Sequence, residues 1–162
     1  MLEATLADCP DRQQLQLSLI EQELPTPSYT INTVEALITR YGRNRYFLII
    51  GADSLLDLPH WHRAAELLAL VSLIVVKRDT IGMPAIQQAI NALEPSFIFD
   101  QQQEKWFGKN GSTVEYLVDV QLPVSSSTIR AELSQGQIPA MLPPAVFAYI
   151  KQHHLYGWRS SP

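Results

Sequence analysis

Four consecutive hydroxyl side chains, Ser125-Ser126-Ser127-Thr128, followed by Ile129 and Arg130, form the segment of this sequence best suited to chemistry. They come after an expected strand exit at Val124 and open a helix expected to run to about Ser134, before Gly136. A helix start offers unpaired backbone N–H groups at the positive end of the helix dipole. Hydroxyl donors at that point, with a forked guanidinium one turn later, could cradle a phosphate. The same residues read equally well as a redundant helix cap with Arg130 in a surface ion pair.

Three other segments carry possible chemistry. Gly51-Ala52-Asp53-Ser54 directly follows the apolar run Tyr46 to Ile50. Gly51 would let a ligand approach the backbone, and Asp53 would either cap the next helix or hold a ribose hydroxyl, the cap being the favoured reading. In Pro59-His60-Trp61-His62 the indole could stack on a flat ring, although a tryptophan more often packs against a helix. His60 and His62 lack a neighbouring carboxylate or cysteine, so no metal is assigned to them. Lys77-Arg78 ends another apolar run, where a basic pair either binds phosphate or closes a strand, and a place at the sheet's carboxyl edge favours phosphate. His153 and His154 are neighbours in a helix turn, diverging by about 100°, and read as dipole partners.

These segments need elements to position them. Tyr46 to Ile50, Leu73 to Val76 and Phe97 to Phe99 are continuous apolar runs, expected to be strands covered on both faces of a parallel sheet. Leu15 to Ile20 and Val114 to Val120 alternate and add two weaker strand candidates. Helical spacing appears at Ile86, Ala89, Ile90 and Leu93, and again at Val146, Phe147, Tyr149 and Ile150. For the second of these, Pro143 and Pro144 suit the first turn, Lys151 the last, and Gly157 the stop. A further helix is expected from about Ile31 to Tyr41, capped by Thr30 or Asn32 with Glu35 completing a capping box. The polar stretch Gln101 to Ser112, with Gly108 and Gly111, reads as a surface loop. Alternating strands and helices imply an α/β doubly wound parallel sheet, whose ligands bind beyond the strands' carboxyl ends.

Composition sets the outer limits. The 162 residues suit one domain with a real core, 46% of them apolar and 17% charged. A net charge of −4 argues against a nucleic-acid partner. The lone Cys9 excludes an internal disulfide and a cysteine-based zinc cluster. No apolar run reaches the ~18 residues of a membrane helix, and Glu3 and Asp8 stand where a signal peptide carries basic residues, so a cytoplasmic protein without a membrane partner is expected.

Taken in order, several segments resemble the bacterial nicotinate mononucleotide adenylyltransferase family over about residues 1 to 157. They are Ser28-Tyr29-Thr30, Ile50-Gly51-Ala52-Asp53-Ser54-Leu55, Trp61 after Leu58-Pro59, Lys77-Arg78, Val124-Ser125-Ser126-Ser127-Thr128-Ile129-Arg130, and Tyr149-Ile150 to Leu155-Tyr156-Gly157. The resemblance implies a Rossmann-like nucleotidyltransferase fold and transfer of the adenylyl group of ATP, with Mg2+, to nicotinate mononucleotide, giving deamido-NAD and pyrophosphate. It further implies that Ser125, Ser126, Ser127 and Arg130 contact ATP, with Arg130 the catalytic cation, and that Gly51 and Asp53 line the adenosine side. Trp61 would stack on the pyridine ring. Thr30, with backbone N–H groups near Trp61 and His62, would receive the carboxylate, and Lys77 and Arg78 complete the substrate side. His62 stands where the family commonly has tyrosine, and Asp79-Thr80 where it often has Pro-Gly. None of the four histidines fits the family's opening His-x-Gly-His pattern, so the chain is expected to be N-terminally truncated, lacking the first strand-helix-strand unit. Two alternatives are a non-catalytic remnant that binds nucleotide and a related pantetheine-phosphate adenylyltransferase. Trp61 speaks against the latter, because a flat pyridine gives the indole something to stack on.

Overall fold

A computed structural model describes residues 1–7, 9–77, 81–120 and 125–158. In chain order they form α1 (Leu2–Ala7), α2 (Thr30–Tyr41), β1 (Tyr46–Gly51), α3 (Ala52–Asp57), α4 (Ala64–Leu70), β2 (Val71–Val76), α5 (Met83–Leu93), β3 (Ile98–Asp100), β4 (Lys105–Phe107), β5 (Thr113–Leu117), α6 (Ser126–Ser134) and α7 (Pro144–Gln152). The chain divides into two compact units, one of Leu19–Pro123 and the other of Met1–Ser18 with Val124–Pro162.

The first unit holds a five-stranded sheet in the order β1-β2-β5-β4-β3. β1, β2 and β5 run parallel, and β4 is antiparallel to both of its neighbours. Paired residues share a face, so the register Leu48↔Leu73↔Val114↔Trp106 and Ile50↔Val75↔Tyr116 stacks one continuous apolar layer. Ile31 and Val34 of α2, Leu55 of α3, Leu67 of α4 and Ile86 and Ile90 of α5 close that layer into the main core. The fold is thus the expected α/β open sheet, with one antiparallel strand added.

Several local expectations are corrected. β1 is not covered on both faces, since Phe47 and Ile49 are 49% and 67% exposed. Apolar type alone does not tell a strand buried on two faces from one buried on one. Leu15 to Ile20 forms no strand: Leu15 and Leu19 are exposed, and Ile20 opens a 3-10 turn that ends at Glu23. Alternation without a partner strand to pair with gives no ladder. Val114 to Val120 is a strand only to Leu117, leaving Val118 and Val120 exposed beyond its end. The expected loop from Gln101 to Ser112 instead contains β4, whose Trp106 is fully buried. Its polar flank forms the hairpin turn, where the Asp100 carboxylate accepts hydrogen bonds from the N–H groups of Gln102 and Gln103 at 2.8 and 3.0 Å.

Helix ends differ as well. The N-cap of α2 is Tyr29, with no side-chain cap, so Thr30 is the first helical residue and neither it nor Asn32 is the cap. Glu35 pairs with Arg63 rather than reaching back. α2 stops at Gly42, whose φ of 84° suits glycine. α7 begins as expected at Pro143 and Pro144 but ends at Gln152, capped by His153; Gly157 closes a separate 3-10 turn, Leu155–Gly157.

In the second unit α1 packs against α7. Leu133 of α6 and Val146 and Ile150 of α7 form a small core, bordered by Phe147 and Trp158 with their rings edge to face at 4.9 Å.

One buried polar contact ties two strands of the sheet. The Ser72 hydroxyl, 3% exposed, accepts a hydrogen bond from the Thr113 N–H at 3.0 Å. Ser72→Ala leaves that buried donor unpaired and is expected to lower stability by about 1–3 kcal/mol, measured by urea unfolding.

Candidate functional site

Two strand exits stand side by side at the carboxyl edge of the sheet. Gly51 ends β1 opposite Val76, the last residue of β2, and Lys77 extends the ladder by donating its N–H to the Leu117 carbonyl at 3.2 Å. Gly51 itself occupies the N-cap of α3. Asp53 is therefore the second helical residue and exposed, not the cap favoured from sequence, and its carboxylate complements the helix dipole in the first turn. Arg78, Asp79 and Thr80 lie outside the described residues.

Beyond this edge, Ser28, Tyr29 and Thr30 at the start of α2 and His60, Trp61 and His62 after α3 line a cavity of about 280 Å³. That is close to the lower end of the range of small-molecule sites. The chain separates Thr30 from Trp61 by 31 positions, and the fold brings them to one space. The cavity has a flat aromatic wall, the Tyr29 and His62 rings stacking at 4.2 Å with 26° between their planes. Trp61 is half-buried and packs against the main core, which bears out the packing reading, and it also lines the cavity.

Backbone donors are unevenly available. Of the backbone N–H groups near Trp61 and His62, that of Trp61 donates to the Leu58 carbonyl at 3.0 Å. The His62 N–H meets no acceptor among the described residues. No side chain caps α2; the Asn32 N–H donates to the Tyr29 carbonyl at 2.9 Å, which leaves the Thr30 and Ile31 N–H groups ahead of the first backbone bond, with the Thr30 hydroxyl beside them. Uncapped N–H groups at a positive dipole end suit a small anion. His60, expected to have no carboxylate nearby, lies 3.4 Å from Asp57, one turn earlier in the chain, which corrects that expectation. Among the described residues no three His, Cys, Asp or Glu side chains come together as a metal cage.

A residue with no role in the sequence reading follows the cavity-lining segment in the chain. Arg63, next to His62, bonds both Glu35 of α2 and Glu66 of α4. Its hydrogen bonds hold the Glu66 carboxyl below the ordinary carboxylate pKa, with the Arg63 charge adding to the effect. Folding is therefore favoured by this pair at neutral pH, and that contribution is lost only as pH falls through the lowered value. The Glu66 spacing of three residues is visible in the sequence, but the Glu35 contact spans 28 positions and is not.

The hydroxyl-rich segment sits in the other unit. Ser125 is the N-cap of α6, its Oγ accepting from the Thr128 N–H at 3.1 Å and lying 2.9 Å from Thr128 Oγ1. The cap reading thus holds for Ser125. The first backbone carbonyl bond of the helix runs from Ile129 N–H to Ser125 at 3.0 Å, so the N–H groups of Ser126 and Ser127 precede it. Ser126, Ser127 and Arg130 are exposed, and Arg130 makes no ion pair among the described residues.

Among the described residues no helix is long and apolar enough to cross a membrane. No family model matches the chain. Curated relatives do. A Bacillus pumilus protein named a probable nicotinate-nucleotide adenylyltransferase is 35% identical over 160 residues, covering 96% of this chain and 68% of the relative. Proteins of the same name from Geobacillus kaustophilus and a Roseiflexus species are each 33% identical, over 99% and 91% of this chain and 62% and 67% of their own lengths. The chain thus spans about two thirds of the relatives it matches.

Proposed function

This chain belongs to the nicotinate-nucleotide adenylyltransferase family, and on that premise we propose that it serves adenylyl transfer from ATP to nicotinate mononucleotide, giving deamido-NAD and pyrophosphate. The observation that carries the substrate assignment is the cavity shared by Thr30 and Trp61 at the uncapped start of α2. A nicotinate ring offers the indole a flat partner and the helix start a negative charge, whereas the amide of nicotinamide offers no charge to the dipole. Pantetheine phosphate, an aliphatic chain, would leave Trp61 without a stacking partner.

In the proposed reaction the mononucleotide phosphate attacks the α-phosphorus of ATP in line. One P–O bond forms, the bond to the departing pyrophosphate breaks, and no covalent intermediate with the protein is needed. Catalysis then consists of positioning and charge stabilisation. Thr30 and the His62 N–H would orient the carboxylate, Trp61 the ring, and Lys77 with Arg78 the mononucleotide phosphate. Gly51 and Asp53 would serve the adenosine. The start of α6 would serve the ATP phosphates through Ser126 and Ser127, with Ser125 fixing the turn and Arg130 offsetting negative charge. Mg2+ would arrive with ATP, among its phosphates. When bound there it would neutralise phosphate charge. We also propose that the reaction is cytoplasmic, where its nucleotide substrates are dissolved.

The test is pyrophosphate release with ATP, magnesium and either nicotinate mononucleotide, nicotinamide mononucleotide or pantetheine phosphate. Release fastest with nicotinate mononucleotide supports the proposal. A preference for pantetheine phosphate, or mononucleotide binding with no turnover in any preparation, contradicts it; the second outcome is that of a binding remnant. Trp61→Ala is expected to weaken nicotinate mononucleotide affinity by about tenfold, a typical stacking contribution, and to leave ATP affinity near its original value. Trp61→Phe should recover most of the loss, and equal affinity in Trp61→Ala would remove the stacking role.

A further inference from the structure

We infer that Arg63 is a positioning residue for the mononucleotide cavity, locking the His60–His62 segment to the start of α2. The inference rests on the substrate reading above and adds a residue to which that reading gives no part.

Arg63 has a backbone φ of 56° and ψ of 41°, in the left-handed region. A non-glycine residue stays there only when its surroundings over-determine the conformation. Arg63 is the N-cap of α4, its carbonyl accepting the Leu67 N–H at 3.0 Å, and two carboxylates hold its side chain. Nη1 and Nη2 donate to Glu35 Oε2 and Oε1 at 3.2 and 2.7 Å, and Nε and Nη2 donate to Glu66 Oε1 and Oε2 at 2.9 and 2.7 Å. The guanidinium thus forks onto a carboxylate on each side, a geometry lysine cannot reproduce.

The position of the fork gives it consequence. The cavity-lining segment is anchored on one side by the Trp61 N–H bond to Leu58 and on the other by Arg63. Glu35 belongs to the same helix whose first residue, Thr30, forms the opposite wall. The Tyr29–His62 stack is a second tie between the same two segments. Both ties set the distance across which Thr30 and Trp61 would meet a ring and its carboxylate. The Glu66 arm spans only three residues and stays at the start of α4, so it does not fix that distance. An isolated exposed ion pair contributes little. A two-sided fork holding a strained backbone beside a cavity has a geometric role beyond its contribution to stability.

The experiment is calorimetric titration of the whole chain and its Arg63→Lys, Glu35→Gln and Glu66→Gln variants with nicotinate mononucleotide and, separately, ATP. NMR of the His62 ring protons and urea unfolding accompany it. Arg63→Lys and Glu35→Gln should each weaken mononucleotide binding by about tenfold with ATP binding unchanged, while Glu66→Gln changes it less than twofold. In the first two variants the upfield shift of His62 produced by the Tyr29 ring should diminish. Wild-type affinity and an unchanged His62 shift in Arg63→Lys and Glu35→Gln would overturn the inference. So would parallel loss of both ligands together with a lower unfolding midpoint, which is the mark of a purely structural bridge. If the unsubstituted chain binds no mononucleotide, the substrate reading fails instead, and the His62 shift alone decides whether Arg63 sets the geometry of this segment.

Discussion

Trp106→Ala is expected to lower the unfolding free energy by about 3–5 kcal/mol, the loss typical of a fully buried aromatic side chain. Trp106 has no exposed surface, sits on β4 opposite Val114, and packs its ring against Phe99 at 4.6 Å. Its Nε1–H donates to Gln87 Oε1 at 2.8 Å, which ties the sheet to α5. Removing the indole opens a cavity between these layers and leaves the Gln87 amide oxygen without its donor. Since a domain is commonly stable by about 5–15 kcal/mol, the substitution consumes much of the margin. Trp106→Phe keeps part of the volume but not the donor, so a smaller loss, about 1–3 kcal/mol, is expected. Urea unfolding followed by far-UV circular dichroism reads both without relying on tryptophan emission. An unchanged midpoint for Trp106→Ala would show that β4 does not carry this part of the core.

The second large effect is on turnover. In catalytically active preparations Arg130→Ala is expected to reduce kcat/KM for pyrophosphate release by about 10²–10³, as for removal of a single group that stabilises transition-state charge. Arg130 is exposed, one turn inside α6, and engaged by no carboxylate among the described residues. Its removal should therefore cost little stability, which separates a loss of charge stabilisation from a loss of folding. Arg130→Lys should recover part of the rate, because an ammonium supplies the charge without the fork. The loss should exceed the effect of Trp61→Ala on ATP affinity, since the two act on different substrates. A kcat/KM within twofold of the original in Arg130→Ala would remove Arg130 from the proposed chemistry.

The parallel heart of the sheet was legible in the sequence because Tyr46 to Ile50 and Leu73 to Val76 are long, continuous apolar runs. β4 was not, because three residues give no period and Lys105 and its polar flank hide a buried tryptophan. The outward face of β1 is hidden in the sequence for the opposite reason: Phe47 and Ile49 are as apolar as their buried neighbours, and only the sheet's surroundings distinguish them. Leu15 to Ile20 had the alternation of a strand but no partner. At the cavity, the motifs single out Thr30 and Trp61, which line one space, whereas the engaged Trp61 N–H follows from a local 3-10 turn that motifs do not encode. Arg63 is not legible in the sequence because its partner Glu35 is 28 positions away and the left-handed backbone at Arg63 has no residue signature.

Calorimetric titration of the chain with nicotinate mononucleotide tests most directly whether the cavity between the start of α2 and Trp61 is the substrate site. A single site per chain is expected, tighter for nicotinate than for nicotinamide mononucleotide, and weakened about tenfold by Trp61→Ala. No heat of binding in the unsubstituted chain, or the same affinity in Trp61→Ala, would contradict it.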